Sequence, residues 1–313
     1  SGLRLFMDAN RDVAENTSEF AAVNIDQELN GKFSLSGYLL FSKSRLRTGS
    51  ETFNRFFLTD TVQTEDRQNS GTDRNLLGIA KARITYKPNK NSEWYYDINV
   101  KASGNESADR LNVFDGLTNT RFNTFRDAGS FNATQFLEWH RSANPKKTTS
   151  LVINHIYERT TPDNQWIVDR PFLQGFIPLI DDELFNVKQV NEESSNYLDV
   201  LFKNYWVLNG NNHLYFTIGN TFSDDFLQTT EEQILTGGSI NNFENAGFGN
   251  DLRLRQIDAY TGLEYKFRWG ISTHTAGIFL HHYYWETRQN NGNNTTQTWR
   301  LQPEWTSNVE FNN

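Results

Sequence analysis

Polar and apolar residues alternate in about a dozen segments of this chain, and that period of two restricts the fold more than any other feature. From Glu93 to Ser103 the odd positions are Glu93, Tyr95, Asp97, Asn99, Lys101 and Ser103, while the even ones are Trp94, Tyr96, Ile98, Val100 and Ala102. Neighbouring side chains of a strand point to opposite faces, so this segment predicts a β-strand with one wet and one greasy face. Near the far end Trp299, Leu301, Trp305, Val309 and Phe311 alternate in the same way with Arg300, Gln302, Glu304, Thr306, Asn308 and Glu310. These segments match the roughly 9–11 residues of a tilted transmembrane strand better than the roughly 5–6 of a globular one.

Alternation and turn punctuation place strands at Leu3–Val13, Phe20–Leu29, Lys32–Arg45, Leu76–Lys87, Glu93–Gly104 and Phe131–Arg141. Further strands are expected at Thr149–Arg159, Tyr197–Leu208, His213–Phe222, Leu252–Arg268, Ile271–Glu286 and Thr298–Phe311. Tight turns rich in Asn, Gly and Pro join some of them, as in LNGK, KPNKNSE, NPKK, NGNN and RWG. Long connections, Arg47–Arg74, Glu106–Ser130, Thr161–Ser194 and Asp224–Asp251, lie between. Because short and long connections take turns, an antiparallel array gathers all the short ones at one end, the asymmetry of outer-membrane barrels. The fold expectation is therefore all-β: an antiparallel transmembrane β-barrel with about 12 strands visible, residues 1–313 forming one barrel segment.

The balance of 30 Lys+Arg against 38 Asp+Glu gives a net charge of −8, which speaks against a duplex nucleic-acid binder. With no cysteine there is no disulfide framework, thiolate metal site or cysteine nucleophile. A mean hydropathy of −0.68 reports on helical spans only, because a barrel strand shows lipid just every second residue. No run of about 18 apolar residues provides a membrane-spanning helix, and SGLRLFMDAN lacks the regions of a secretion signal.

A dozen long strands closed into a barrel enclose more room than side chains fill, so the polar set is expected to border a wet lumen. That set comprises Lys81, Arg83, Asp97, Lys101, Gln256, Asp258, Glu264, Lys266, Arg268, Arg300 and Glu304. Facing lipid would be Leu76, Ile84, Tyr86, Trp94, Tyr96, Ile98, Val100, Ile257, Ala259, Leu263, Tyr265, Phe267, Leu301 and Val309. Aromatics gather at strand ends, with Tyr86, Trp94 and Tyr96 at one turn and Tyr265, Phe267 and Trp269 at another, as in an interfacial girdle.

SLSGYLLFSKSRLRT, LLGIAKARITYKPNKNSEWYYDINVKASG and RLRQIDAYTGLEYKFRWGISTHTAGIFLHHYYWE resemble the barrel of a TonB-dependent outer-membrane receptor of the kind abundant in Bacteroidota. The resemblance implies a barrel of 22 strands around an N-terminal plug that a TonB-contacting segment precedes. Nothing in the chain resembles plug or contact segment, and it closes on EFNN without the terminal aromatic of such barrels. The expectation is the middle half of a larger barrel; a complete twelve-stranded barrel, closed by pairing Leu3–Val13 with Thr298–Phe311, is the alternative.

Candidate chemistry is sparse. His274, His281, His282 and Glu286 share one strand, but His281 and His282 point to opposite faces and cannot easily share a zinc ion. Asp181, Asp182 and Glu183, Glu192 and Glu193, Asp224 and Asp225, and Glu231 and Glu232 are acidic clusters expected in loops, without the spacing of a calcium loop. PLIDDELFN, residues 178–186, is expected to make a short helical turn. Trp166, Phe172, Phe176 and Phe185 with Arg170 form a candidate external vestibule, where flat or sugar-like ligands stack and the arginine holds an anionic group; the alternative is a loop folded over its own small core. Arg253 and Arg255, at a strand mouth, either meet an anionic solute or pair with loop carboxylates. No phosphate loop, GxSxG or CxxCH occurs, so neither an enzyme nor a cofactor is expected.

The resulting functional expectation is an outer-membrane transport receptor. Its long external loops would capture a metal chelate, glycan, peptide or vitamin for uptake energised through TonB. Expected partners are outer-membrane lipid, TonB through parts beyond this segment, and a surface lipoprotein. The competing readings are a scaffold barrel in a surface complex and a soluble β-rich binding module.

Overall fold

The computed structural model describes residues 12–57, 62–290 and 292–309. They form one antiparallel sheet in which nearly every strand pairs with its sequence neighbours. In order the strands are β1 (Asp12–Leu29), β2 (Phe33–Phe57), β3 (Val62–Asn89), β4 (Ser92–Phe114), β5 (Asn119–Asn144) and β6 (Lys147–Val168). They continue as β7 (Phe185–Asn209), β8 (Asn212–Ile234), the short β9 (Ile240–Asn242), β10 (Asn250–Trp269), β11 (Ser272–Gln289) and β12 (Gly292–Val309). β9 is an appendage of β8, and β10 takes the next place in the sheet. β1 and β12 stand at the two ends, so among the described residues the sheet is open.

Several expected boundaries are corrected. Residues 12–29 are one uninterrupted strand, so a turn between residues 13 and 20 does not exist, and most of the expected strand at residues 3–13 lies outside the described residues. The closing pairing of that strand with residues 298–311 likewise lies mostly outside the described residues, among which β12 pairs only with β11. The long connections 47–74 and 106–130 are mostly sheet: β2 and β3 remain paired from Arg47 and Thr72 out to Phe57 and Val62, and β4 and β5 out to Phe114 and Asn119. Two irregular connections remain, residues 169–184 and 235–249, the latter carrying β9 and a single 3₁₀ turn at Glu244–Ala246. Residues 178–184 form no helical turn, and Phe185 already opens β7. Glu192, Glu193, Asp224, Asp225, Glu231 and Glu232 are strand residues rather than loop residues.

Turn chemistry sets the opposite end. Asn30 and Gly31 have φ of 56° and 58°, the left-handed pair that a two-residue hairpin needs. Asn89, Asn144 and Asn209 repeat one device, each side-chain oxygen accepting the N–H two residues on at 2.9, 2.9 and 3.0 Å.

Continuous register puts each set of alternating residues on one face of the whole sheet. The row Leu39, Ala80, Val100, Ala133, Tyr157 runs across β2 to β6 on one face, and the row Tyr38, Lys81, Asn99, Thr134, Ile156 on the other. All the residues expected to border a lumen share the second, polar face, and all those expected to meet lipid share the first. Among the described residues no second layer covers the apolar face. Leu39, Leu76, Trp94, Ile218, Leu263, Ile278 and Leu301 are exposed on it, whereas among the described residues only Ala133, Val168, Phe185, Val187 and Phe243 are buried apolar residues. Domains ordinarily bury such a face against another element. Soluble monomers rarely leave a contiguous apolar patch above roughly 600 Å².

The apolar band has two edges. At the short-turn end it finishes in aromatics: Trp94 stacks on Trp139 at 5.5 Å, Tyr265 on Phe267 at 5.6 Å, and Lys147 lies over Trp206 at 5.9 Å. At the other end the same face turns ionic, with Arg47 to Glu15 at 2.9 Å, Arg74 to Glu106 at 3.2 Å, Arg159 to Glu192 at 2.9 Å and Arg255 to Glu286 at 3.1 Å. Between the edges about ten residues per strand rise about 23 Å if tilted near 45°.

Two glycines on the polar face lie beneath rings. A Cβ at Gly219 would run into the Tyr260 ring and one at Gly262 into Phe279. At Gly104, by contrast, the nearest atom is Leu76 Cβ at 4.0 Å. Gly219→Ala is therefore expected to cost about 1–3 kcal/mol by overpacking, and Gly104→Ala less than about 1 kcal/mol. Thermal unfolding of the two variants would show the reverse order if the ring contacts were absent.

Candidate functional site

The polar face carries the chemistry. On β11 every second side chain is aromatic or imidazole: Phe279, His281, Tyr283 and Trp285. His281 stacks on Tyr283 at 5.4 Å and Tyr283 on Trp285 at 5.4 Å, with planes 9° and 6° apart. Tyr260 of β10 stacks on His281 at 4.9 Å, and the Arg300 guanidinium of β12 lies over Tyr283 at 5.9 Å. Asp258 Oδ1 lies 2.8 Å from His281 Nδ1, and Gln302 donates to the Tyr283 hydroxyl at 3.1 Å. Elsewhere on this face Arg83 Nε and Nη2 both donate to Asp97 Oδ2 at 3.0 Å, and the Tyr95 hydroxyl joins at 3.2 Å. Rings whose rims carry hydroxyl, imidazole and guanidinium groups present hydrogen-bond donors and acceptors on a flat apolar base, a surface suited to polar ring-bearing solutes.

A strap made of residues 169–184 crosses the polar face at the long-hairpin end. One attachment is at the β4–β5 tip, where Arg170 Nη2 donates to Thr118 Oγ1 at 3.2 Å and the Arg121 N–H donates to Asp169 Oδ2 at 3.0 Å. The other is Gln233 of β8, fully buried: its Oε1 accepts the Ile180 N–H at 2.8 Å and its Nε2 donates to the Ile180 carbonyl at 2.8 Å. Asn241 donates to the Pro178 carbonyl at 2.9 Å, and Asp182 Oδ2 accepts the Thr236 N–H at 2.6 Å. Thr120, Val168, Phe185, Val187 and Gln233, all on the polar face of their strands, are buried at this end.

The vestibule assembles only in part. Trp166 and Phe185 lie diagonally across the β6–β7 ladder on the polar face, but Phe185 is only 3% exposed and serves the small core that the loop alternative anticipates. Phe172 is half-buried in the strap, Phe176 points outward at 79% exposure, and Arg170 is spent on the β4–β5 tip. Arg253 and Arg255 sit on the opposite, apolar-side face. There Arg253 grips both Asp224 oxygens at 2.7 and 2.6 Å, while Arg255 joins Asp224 at 3.6 Å and Glu286 at 3.1 Å. They are not part of the strap's surroundings, and the carboxylates they meet are on strands. The histidines are dispersed as well: His281 faces the polar side, whereas His282 packs on Trp299 at 4.5 Å and His274 bonds Ser307 at 2.8 Å on the other. The β11 ladder escaped the sequence reading although its signal was present, four aromatics or imidazoles of one parity in FLHHYYW.

No protein-family model matches this chain, and no curated protein matches it.

Two outcomes are expected. Gln233→Leu strands the Ile180 N–H and carbonyl at a cost of about 1–3 kcal/mol, so limited proteolysis within residues 169–184 should quicken about tenfold; unchanged cleavage would show that the amide clamp does not hold the strap. The second concerns Asp115 at the β4–β5 tip. The Thr118 N–H and hydroxyl and the Leu117 N–H hold its carboxyl down to about 2. With the folded value below the unfolded one, its contribution is complete above about 4 and disappears as pH falls through about 2. The Thr118 amide should stay protected from hydrogen exchange down to that range, and Asp115→Asn should remove the pH dependence.

Proposed function

We propose that this chain forms the membrane-embedded wall of an outer-membrane transport receptor, its apolar face against lipid and its polar face bordering the solute path. What carries the reading is the bounded apolar band: an uncovered face, aromatic at one edge and ionic at the other, about as tall as the roughly 25 Å lipid-facing belt of such barrels. Backbone groups in hydrocarbon must all be paired, which long antiparallel ladders achieve and which full closure with further strands would complete. On this reading the short Asn/Gly turns lie on the periplasmic side, and the long hairpins with the strap on the outside.

The solute is bound, not transformed. The β11 ladder, with Tyr260, Arg300 and Asp258, offers stacking and hydrogen bonding to a polar ring-bearing solute such as a glycan or an aromatic chelate. The strap limits access from outside. In the family that the sequence resembles, energy comes through TonB, a partner engaged by parts of the receptor other than this barrel wall, and surface lipoproteins can cover the external loops; both are proposed here as partners.

Because the chain contains no cysteine, an introduced one reports alone. In outer membranes a water-soluble maleimide should label Asn99→Cys and Thr134→Cys, and should reach Val100→Cys and Leu263→Cys only after detergent is added. Equal labelling of both faces without detergent would sink the proposal.

A further inference from the structure

A groove of about 480 Å³ opens on the apolar face at the ionic edge of the band. Its floor is one transverse row of directly paired residues: Arg45 of β2, Arg74 of β3, Glu106 of β4, Asp127 of β5 and Asp163 of β6. Three adjacent pairs in this row have like charge, Arg45 with Arg74, Glu106 with Asp127, and Asp127 with Asp163. Like charges directly opposite in a sheet are destabilising, so the row is not arranged for folding. Arg74 and Glu106 bond each other at 3.2 Å, and Lys188 approaches Asp163 at 3.8 Å. Among the described residues Arg45 and Asp127 have no ion pair, and Arg45 Nε is shielded from solvent without a hydrogen-bond partner.

Below the row lies a stretch of small residues broken by Leu76. Gly78 and Ala80 on β3 and Gly104 and Ala102 on β4 lie between Leu39 and Phe41 of β2 and Phe131 of β5. Glycine weakens a strand and often marks close approach by another group. Nothing in the protein requires it here: a Cβ at Gly78 or Gly104 would meet its nearest neighbour only at 4.0 Å.

We infer that this groove holds a phosphoethanolamine lipid. Its phosphate lies on Arg45 and Arg74, its ammonium on Glu106 and Asp127, and one acyl chain runs down the stretch of small residues. The inner members of the two halves, Arg74 and Glu106, are one strand apart, about 4.8 Å, the scale of the phosphate-to-ammonium reach in that headgroup, and Arg45 and Asp127 back them from the next strands outward. A headgroup without the ammonium leaves Glu106 and Asp127 facing its phosphate. The inference rests on the membrane reading proposed above, and the experiment separates the two.

The protein is extracted in mild detergent from membranes holding equal parts phosphatidylethanolamine and phosphatidylglycerol of matched chains, and bound lipid is read by native mass spectrometry. Phosphatidylethanolamine should be enriched about fivefold, a ratio that one exposed ion pair sustains. Arg45→Ala and Asp127→Asn should each return the ratio towards that of the bulk. Gly104→Leu, in a position where Gly104→Ala serves as the folded control, should lower the amount of lipid retained. Lipid bound to the native protein at the bulk ratio overturns the groove assignment and leaves the membrane reading standing. Recovery as a monodisperse species without detergent overturns both.

Discussion

The hydrogen-bonded register between neighbouring strands is the constraint from which the rest of the structure follows. A side chain's face is settled by parity, and parity is transmitted from strand to strand only while the pairing holds without a slip. Here the rows run unbroken across most of the sheet, through ladders such as β4–β5, where all positions from Ser92 to Phe114 are paired. A slip of one residue on β4 would put Asp97 and Lys101 among Ile84 and Ala80 and carry Ile98 into the polar stripe. The ion pairs, the ring stacks and the groove are all products of that shared parity.

The central part of each strand was legible because one face was greasy and the other wet. Both face sets emerged whole, down to Ala259 and Val309. The distal halves of β2 through β5 were not, and the reason is physical. In residues 47–74 the apolar and polar positions no longer alternate, because both faces there carry mainly polar side chains and burial imposes no period. Those ladders are held by backbone bonds and by cross-strand polar pairs such as Asn54 with Glu65 at 3.2 Å, which leave no hydrophobic rhythm in the sequence. What resembled long loops is therefore sheet.

The site shows the same division. Arg253 and Arg255 share odd parity with Ile257, Ala259 and Leu263, so their place on the apolar side was readable, yet the strand mouth suggested a solute contact instead. Trp166 and Phe185 are brought near each other by a pairing across nineteen positions of chain, which no local pattern announces. Gln233 gave no signal at all: a lone amide in TTEEQILTGG looks like solvated surface, and its role comes from where a distant connection happens to fold.

The meander has a mechanical corollary. Among the described residues each long strand pairs only with the long strands beside it, so the ladders pass cohesion along the sheet one neighbour at a time. Where one ladder opens, the break would travel to its neighbour as a front, in the manner of a zip. The strap interrupts that sequence: by tying the β4–β5 tip to β8 it makes strands that are not adjacent share one fate, so the stretch from β4 to β8 should melt as a block.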